Sequence, residues 1–99
     1  MRFATSEAAD GWEQLCSQAP GPTRECFDAL SLDPRDRGAA PGRVHQLKGA
    51  LSIRELKGKL LEQWQYEVTG AGRVWYCIDD ANRRVLLVLA SVGHPKETE

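Results

Sequence analysis

Residues 63–79 read QWQYEVTGAGRVWYCID, and their pattern is the strongest structural signal in the chain. Large apolar residues alternate with polar ones over residues 63–68, the glycines of TGAG interrupt the pattern, and a second strand-like segment, RVWYCID, follows. A period of two is typical of a β-strand with one buried face, and a short glycine-containing interruption is typical of a hairpin turn. The stretch therefore predicts an antiparallel β-hairpin.

Arg73 stands at the head of the second predicted strand, which is otherwise largely apolar. Since side chains two residues apart share a face of a strand, Arg73 lies on the same face as Trp75 and Cys77. If the other face is covered, Arg73 projects from the open one, where it could hold a phosphate with two parallel hydrogen bonds. It could equally form an ion pair with Glu67 or Glu62 of the neighbouring strand.

Two further strands are predicted around this hairpin. The segment RRVLLVLASV, residues 83–92, is apolar at nearly every position, which is typical of a central strand covered on both faces. RVHQL, residues 43–47, has the pattern of a short strand. ALSIRELKGKL, residues 50–60, fits either a helical turn or a loop.

Two helices are predicted before these strands. Residues 5–19 have helical periodicity behind Thr5 or Ser6 as the N-cap, and Thr23 can cap a second helix that ends at Asp33-Pro34. The fold class is therefore α+β: an N-terminal helical hairpin packed on a twisted, mainly antiparallel sheet of about four strands, in a single domain spanning residues 1–99.

Several functional classes are disfavoured by composition. No apolar run is long enough to cross a membrane and no secretory signal is visible, so we expect a cytoplasmic protein without a membrane partner. Cys16, Cys26 and Cys77 lack the spacing of a zinc site or a disulfide framework, so buried free thiols are expected. No phosphate-binding glycine loop or metal-binding helix is present, and we expect no metal and no cofactor.

Basic residues are concentrated in residues 43–60, which carry a single carboxylate at Glu55. A local basic patch can bind RNA phosphates even in a chain whose net charge is −1, because screening confines such contacts to about 10 Å. The alternative is a solvated charged face. The candidate RNA-binding residues are Arg43, Lys48, Arg54, Lys57, Lys59 and, near the C-terminus, Lys96.

The two histidines are candidates for proton transfer. His45 lies between Arg43 and Lys48 in the sequence, and His94 follows the last predicted strand. A half-buried strand histidine and a solvated tail are the alternatives. Together with Arg73 the two histidines suit RNA cleavage without a metal. In that reaction a base takes the proton of the ribose 2′-hydroxyl, a cation stabilises the charge on the phosphate, and an acid protonates the leaving oxygen.

The order of a helical hairpin, Leu-Lys-Gly, a Trp-bearing strand, GRVWY, Ile-Asp-Asp, an apolar strand and Val-Gly-His resembles the RelE/ParE superfamily of toxin–antitoxin toxins. The resemblance covers roughly residues 6–97. Within the superfamily, the sequence is similar to small RelE-like toxins of actinobacteria. It implies two helices packed on a twisted sheet whose concave face is functional. RelE-type members cleave mRNA in the ribosomal A site, ParE-type members act on DNA gyrase, and an antitoxin protein inhibits either type.

The resemblance also implies roles for individual residues. Arg73 matches the strand arginine that contacts the scissile phosphate, His94 falls near a C-terminal catalytic position, and His45 falls near a position where some relatives have a catalytic glutamate. The tail lacks the terminal aromatic residue of many family nucleases. Gln63, Gln65 and Glu67 stand on the strand where some relatives carry lysines.

The sequence thus yields three functional hypotheses. The first is a metal-independent, ribosome-dependent mRNA endonuclease whose partners are the ribosome, mRNA and a cognate antitoxin. The second is a ParE-like gyrase inhibitor without enzymatic activity. The third is a degenerate family member that retains only antitoxin binding.

Overall fold

The computed structural model describes residues 1–35 and 42–93, so His94 and Lys96 lie outside the described residues. Two α-helices cover one face of a six-stranded sheet. The strands are β1 (Arg2–Phe3), β2 (Val44–Gln46), β3 (Ile53–Leu56), β4 (Lys59–Glu67), β5 (Arg73–Asp79) and β6 (Arg84–Ser91). The α+β class and the helical hairpin are confirmed.

The helices are α1 (Ser6–Gln18) and α2 (Pro20–Leu32), joined through Ala19. Thr5 is the N-cap of α1, as predicted, and its hydroxyl accepts a hydrogen bond from the Ala8 amide at 3.0 Å. The prediction that Thr23 caps α2 is wrong. The helix begins at Pro20, since proline is favoured in the first helical turn, and the Thr23 hydroxyl instead donates to the Leu15 carbonyl of α1 at 3.1 Å.

The sheet order is β1-β6-β5-β4-β2, and β3 pairs with β4 on the same edge as β2. The three strands β4, β5 and β6 form the predicted antiparallel meander, and β6 is an interior strand. The predicted count of about four strands is wrong because β1 and β3 were not foreseen. The sheet is mixed, because β1 pairs parallel with β6.

The β3–β4 hairpin accounts for the segment that the sequence left ambiguous. Lys57 and Gly58, which connect its strands, both have positive φ, at 51° and 81°. Two consecutive positive φ angles match the twist of a tight hairpin, and glycine adopts them without steric cost. A 3₁₀ turn at Gly49–Leu51 precedes β3.

The two faces of the sheet carry two separate apolar clusters. Val74, Tyr76 and Ile78 pack against the helices, as their alternation predicted. On the opposite face, called the open face below, Trp75 and Cys77 are covered by leucines of the chain itself, including Leu47 and Leu51 from the connection between β2 and β3. Among the described residues, no helix is long and apolar enough to span a membrane.

Candidate functional site

Arg73 lies on the open face, but its side chain is 8% exposed and engaged by the protein. Its Nη1 donates to the carbonyls of Thr69, Gly70 and Gly72 at 3.1, 3.3 and 3.1 Å. Its Nη2 lies 3.3 Å from Oε1 of Glu67, which is also its register partner on β4. The ion pair that the sequence offered as an alternative to phosphate binding is therefore present, and Arg73 fastens the β4–β5 turn.

Gly72 shows how tightly this turn is built. Its amide donates to the Thr69 hydroxyl at 2.7 Å, and a Cβ added there would lie 2.9 Å from the same oxygen. The turn carbonyls thus converge on the Arg73 guanidinium. Because the Glu67 side chain is 32% exposed, its carboxylate is the partner of Arg73 that a competing anion could replace.

His45 is half-buried on β2 and faces Gln65 of β4 on the open face. Arg73 of β5 pairs with Glu67, which lies two residues after Gln65 on β4. Strand β4 therefore lies between His45 and Arg73. With strands about 4.8 Å apart, the Cα atoms of His45 and Arg73 lie on the order of 12 Å from each other. The structure brings these two predicted catalytic residues to the same face and the same end of the sheet.

The candidate RNA-binding residue Arg43 is occupied elsewhere. Its guanidinium donates to the carbonyls of Glu67 and Val68 at 2.8 to 3.1 Å and lies over the Tyr66 ring. These contacts close the end of β4. Arg43 therefore does not join the other basic residues of its segment.

The remaining basic residues of residues 43–60 are exposed. Arg54 faces Leu61 from β3 on the open face, and its charge opposes the burial that raises the pKa of the Cys77 thiol to about 11. Lys57 lies in the tight turn, Lys59 begins β4, and Lys48 precedes the 3₁₀ turn. Apart from Lys48, these cations gather at the end of the open face away from Arg73.

That end contains a cleft of about 530 Å³, called the basic cleft below. Arg2 and Arg84, which sequence reasoning missed, line it together with Lys57 and Lys59. Parallel pairing places Arg2 beside Leu86, and Arg84 lies two residues before Leu86 on the same strand face. The apolar part of its lining includes Phe3, Leu56, Leu61 and Leu86.

Asp79 is the carboxylate in the lining of the basic cleft. It accepts a hydrogen bond from Asn82 Nδ2 at 2.8 Å and lies 3.5 Å from Lys59 Nζ, and these contacts lower its pKa. Among the described residues, Arg2, Lys57 and Arg84 form no ion pair. The basic cleft consequently carries a net positive charge.

The second aspartate of the Ile-Asp-Asp motif has a structural contact. Asp80 accepts two hydrogen bonds of 2.9 Å from Arg35, which follows α2 and also reaches Glu62 of β4 at 3.2 Å. Arg35 lowers the pKa of Asp80, and Trp64 and Arg35 lower that of Glu62. This cluster ties the end of α2 to the sheet.

Polar groups also hold the middle of the open face. Trp75 Nε1 donates to Gln65 Oε1 at 2.8 Å, and Gln63 Nε2 donates to the Leu51 carbonyl at 2.8 Å. Gln63 thereby anchors the connection that covers Cys77. The two glutamines thus bind neighbouring parts of the chain.

The expectation that all three thiols are buried holds for two of them. Cys26 and Cys77 are buried, and burial raises the pKa of Cys26 to about 12, whereas Cys16 is exposed on α1.

Within residues 1–35 and 42–93, no group of histidine, cysteine and acidic side chains could hold a metal ion. The chain matches no protein-family model and no curated protein.

Proposed function

We propose that the protein is a RelE-like toxin that binds RNA across the open face and cleaves mRNA on the translating ribosome without a metal. The observation that carries the proposal is the distribution of charge between the two layers. The exposed surfaces of α1 and α2 present Glu7, Asp10, Glu13, Glu25 and Asp28, with Arg24 as the basic residue of both helices.

The open face has the opposite composition. Among residues 1–35 and 42–93, its carboxylates are Glu67 and Asp79, and its cations are Arg2, Arg54, Lys57, Lys59, Arg73 and Arg84. An RNA strand would be repelled by the helical layer and attracted to the open face, which orients the protein on its substrate.

Cleavage is assigned to the end of the face that holds Arg73 and His45. In the proposed reaction His45 removes the proton from a ribose 2′-hydroxyl, the 2′-oxygen attacks the adjacent phosphorus, and the bond to the 5′-oxygen breaks. A 2′,3′-cyclic phosphate and a 5′-hydroxyl result. His94, which the sequence offered with His45 as a candidate for proton transfer, takes the part of the acid here and protonates the leaving oxygen. Arg73 neutralises the phosphate after exchanging the Glu67 carboxylate for it.

The test is primer extension on transcripts after brief induction, with translation running. The wild-type protein should cut within translated codons. Arg73→Gln should lower cleavage by about a hundredfold or more, since it removes the donor to the developing charge. Glu67→Gln should retain cleavage, because it frees the guanidinium.

Arg24→Gln is the matched control, because Arg24 is exposed on the opposite layer and pairs with Asp28 within its own helix. Circular dichroism shows whether each variant is folded. Intact transcripts in a culture arrested by the wild-type protein would overturn the nuclease proposal, whatever the variants do.

A second candidate, a ParE-like gyrase inhibitor without chemistry, is favoured by the contacts of Arg73. Three carbonyls and a carboxylate already engage its guanidinium, and Gln63 and Gln65 occupy the centre of the face. Such a protein would cause DNA damage on induction and leave mRNA intact. The same induction experiment therefore separates the two candidates.

A further inference from the structure

We propose that a groove between α1 and α2 binds a basic amphipathic helix of a partner protein, which places an apolar side chain in the groove and lysines or arginines beside its edges. The lining of this groove, called the helical groove below, comprises Trp12, Cys16, Pro20, Thr23, Arg24 and Phe27. The inference goes beyond the proposed function and does not depend on it, because the helices and the open face lie on opposite sides of the sheet.

The lining of the helical groove is largely apolar and accessible to a partner. Phe27 is 36% exposed, Cys16 and Pro20 are exposed, and Trp12 is half-buried. An apolar groove that is open to solvent is typical of an interaction site, and a volume of about 330 Å³ can take a large side chain. A groove between two helices is also the shape that receives the side-chain ridge of a third helix.

Thr23, the most buried residue of the lining, fits an apolar occupant. It is 2% exposed, and its hydroxyl donates to the Leu15 carbonyl at 3.1 Å. An apolar side chain can therefore enter the helical groove without leaving this hydroxyl proton unpaired. A sugar or a nucleotide would gain no donor from it.

The charge of the helical layer selects a basic partner. Helices α1 and α2 carry five carboxylates and one arginine. Glu13 lies three residues before Cys16 on the α1 edge of the helical groove, and Asp28 follows Phe27 on the α2 edge. These carboxylates would repel nucleic acid and the helical layer of a second copy, whereas they would attract lysine and arginine side chains.

Arg24 shows, within the chain, how a cation binds at this groove. Its guanidinium carbon lies 5.6 Å from the centre of the Phe27 ring, and its Nε lies 3.1 Å from Asp28 Oδ1, although its side chain is 74% exposed. On α1, Trp12 followed by Glu13 repeats this order of a lining ring and a carboxylate. Among the described residues Glu13 forms no ion pair, so a cation of the partner is expected at this second ring and carboxylate.

Cys16 provides the test, because it is the exposed thiol of the three, whereas Cys26 and Cys77 are buried. The probe is a synthetic peptide of about 18 residues in which leucines occupy one helical face and lysines the other. At about ten times its Kd, this peptide should slow the alkylation of Cys16 by N-ethylmaleimide about tenfold, as measured by mass spectrometry on the full chain. A peptide with glutamate in place of lysine should leave the rate unchanged.

Variants locate the binding, which is measured as fluorescence anisotropy of the labelled leucine–lysine peptide. Phe27→Ala should weaken binding by about fivefold or more, whereas Leu32→Ala, at an 86% exposed position of α2 outside the lining, should bind like the wild type. Glu13→Gln should weaken binding by about twofold and reduce its dependence on salt. Glu7→Gln is the matched control, since Glu7 lies nine residues before Cys16 and therefore on the opposite side of α1.

An unchanged rate of Cys16 alkylation with up to about 1 mM of the leucine–lysine peptide would overturn the proposal. Equal protection by the glutamate peptide or by an oligouridylate would also overturn it, because the groove would then not select a basic protein segment. Wild-type affinity in a folded Phe27→Ala variant would have the same consequence. Circular dichroism shows whether each variant is folded, and the protection of Cys16 in the wild-type chain tests the groove without any variant.

Discussion

The two faces of the sheet are covered in different ways. On one face the helices pack so closely that α1 leaves no room for a side chain at Gly11, where a Cβ would overlap the carbonyl oxygen of Ala90 on β6. On the other face, leucines from a short connection cover only the middle, and charged side chains occupy both ends. The helical face stabilises the fold, whereas the basic cleft leaves cations exposed at one end of the open face.

Arg73 shows that the division is not complete. It stands on the open face, yet its hydrogen bonds hold the β4–β5 turn in the manner of a structural residue. The side chains of the cations in the basic cleft, by contrast, contribute little to the stability of the fold. The comparison therefore predicts large stability losses on the helical face, an intermediate loss at Arg73 and small ones among the surface ion pairs.

Gly11→Ala is expected to have the largest effect. The added methyl group must push α1 away from β6, which should lower the free energy of unfolding by about 3 kcal/mol. Gly21→Ala in α2 is the control, since nothing lies within 4 Å of its added Cβ, and it should be neutral or stabilising by about 0.5 kcal/mol. Urea denaturation measures both; equal stability of the two variants would contradict the close approach of α1.

Arg73→Ala should lower the free energy of unfolding by about 2 kcal/mol, because it leaves the turn carbonyls and Glu67 without their shared donor. Arg24→Ala, which removes an exposed pair within one helix, should cost less than about 0.5 kcal/mol. A loss at Arg73 as small as that at Arg24 would show that the turn does not need the guanidinium and would strengthen its assignment to a phosphate.

The smallest effect is expected at the partly exposed cluster of Arg35, Glu62 and Asp80, and it should depend on pH. Arg35 lowers the pKa of Asp80 and contributes to the lowered pKa of Glu62, so their stabilisation is present at neutral pH and is lost as the pH falls below the ordinary values of 3.8 and 4.5. Arg35→Gln should lower Tm at pH 7 and have a smaller effect at pH 3. A Tm difference that is equal at both pH values would rule out the ion pairs as its cause.

Sequence reasoning located the elements that have local signals. The alternation in residues 63–79 and the cap at Thr5 predicted β4, β5 and the start of α1, because caps and periodicity are properties of neighbouring residues. The same alternation placed Arg73 on the correct face. It could not show that the turn carbonyls and Glu67 already occupy the guanidinium, since that depends on how the turn folds back.

The basic cleft was predictable only in part. Lys57 and Lys59 were singled out as a basic segment, but Arg2 and Arg84 had no local signal that connected them to it. They enter the cleft because β1 pairs parallel with β6, across more than 80 residues of sequence.

By itself, the sequence determined the two helices, the meander and the faces of β4 and β5 on which their residues lie, because hydrophobic periodicity and capping act over a few residues. Only the tertiary structure decided that β1 and β3 complete the sheet, that Arg43 and Arg73 are engaged by backbone carbonyls, and that Arg2 and Arg84 meet the lysines of the β3–β4 hairpin. These outcomes depend on pairing between distant segments, and the free energy of such pairing comes from burial and hydrogen bonds that exist only once the chain has folded.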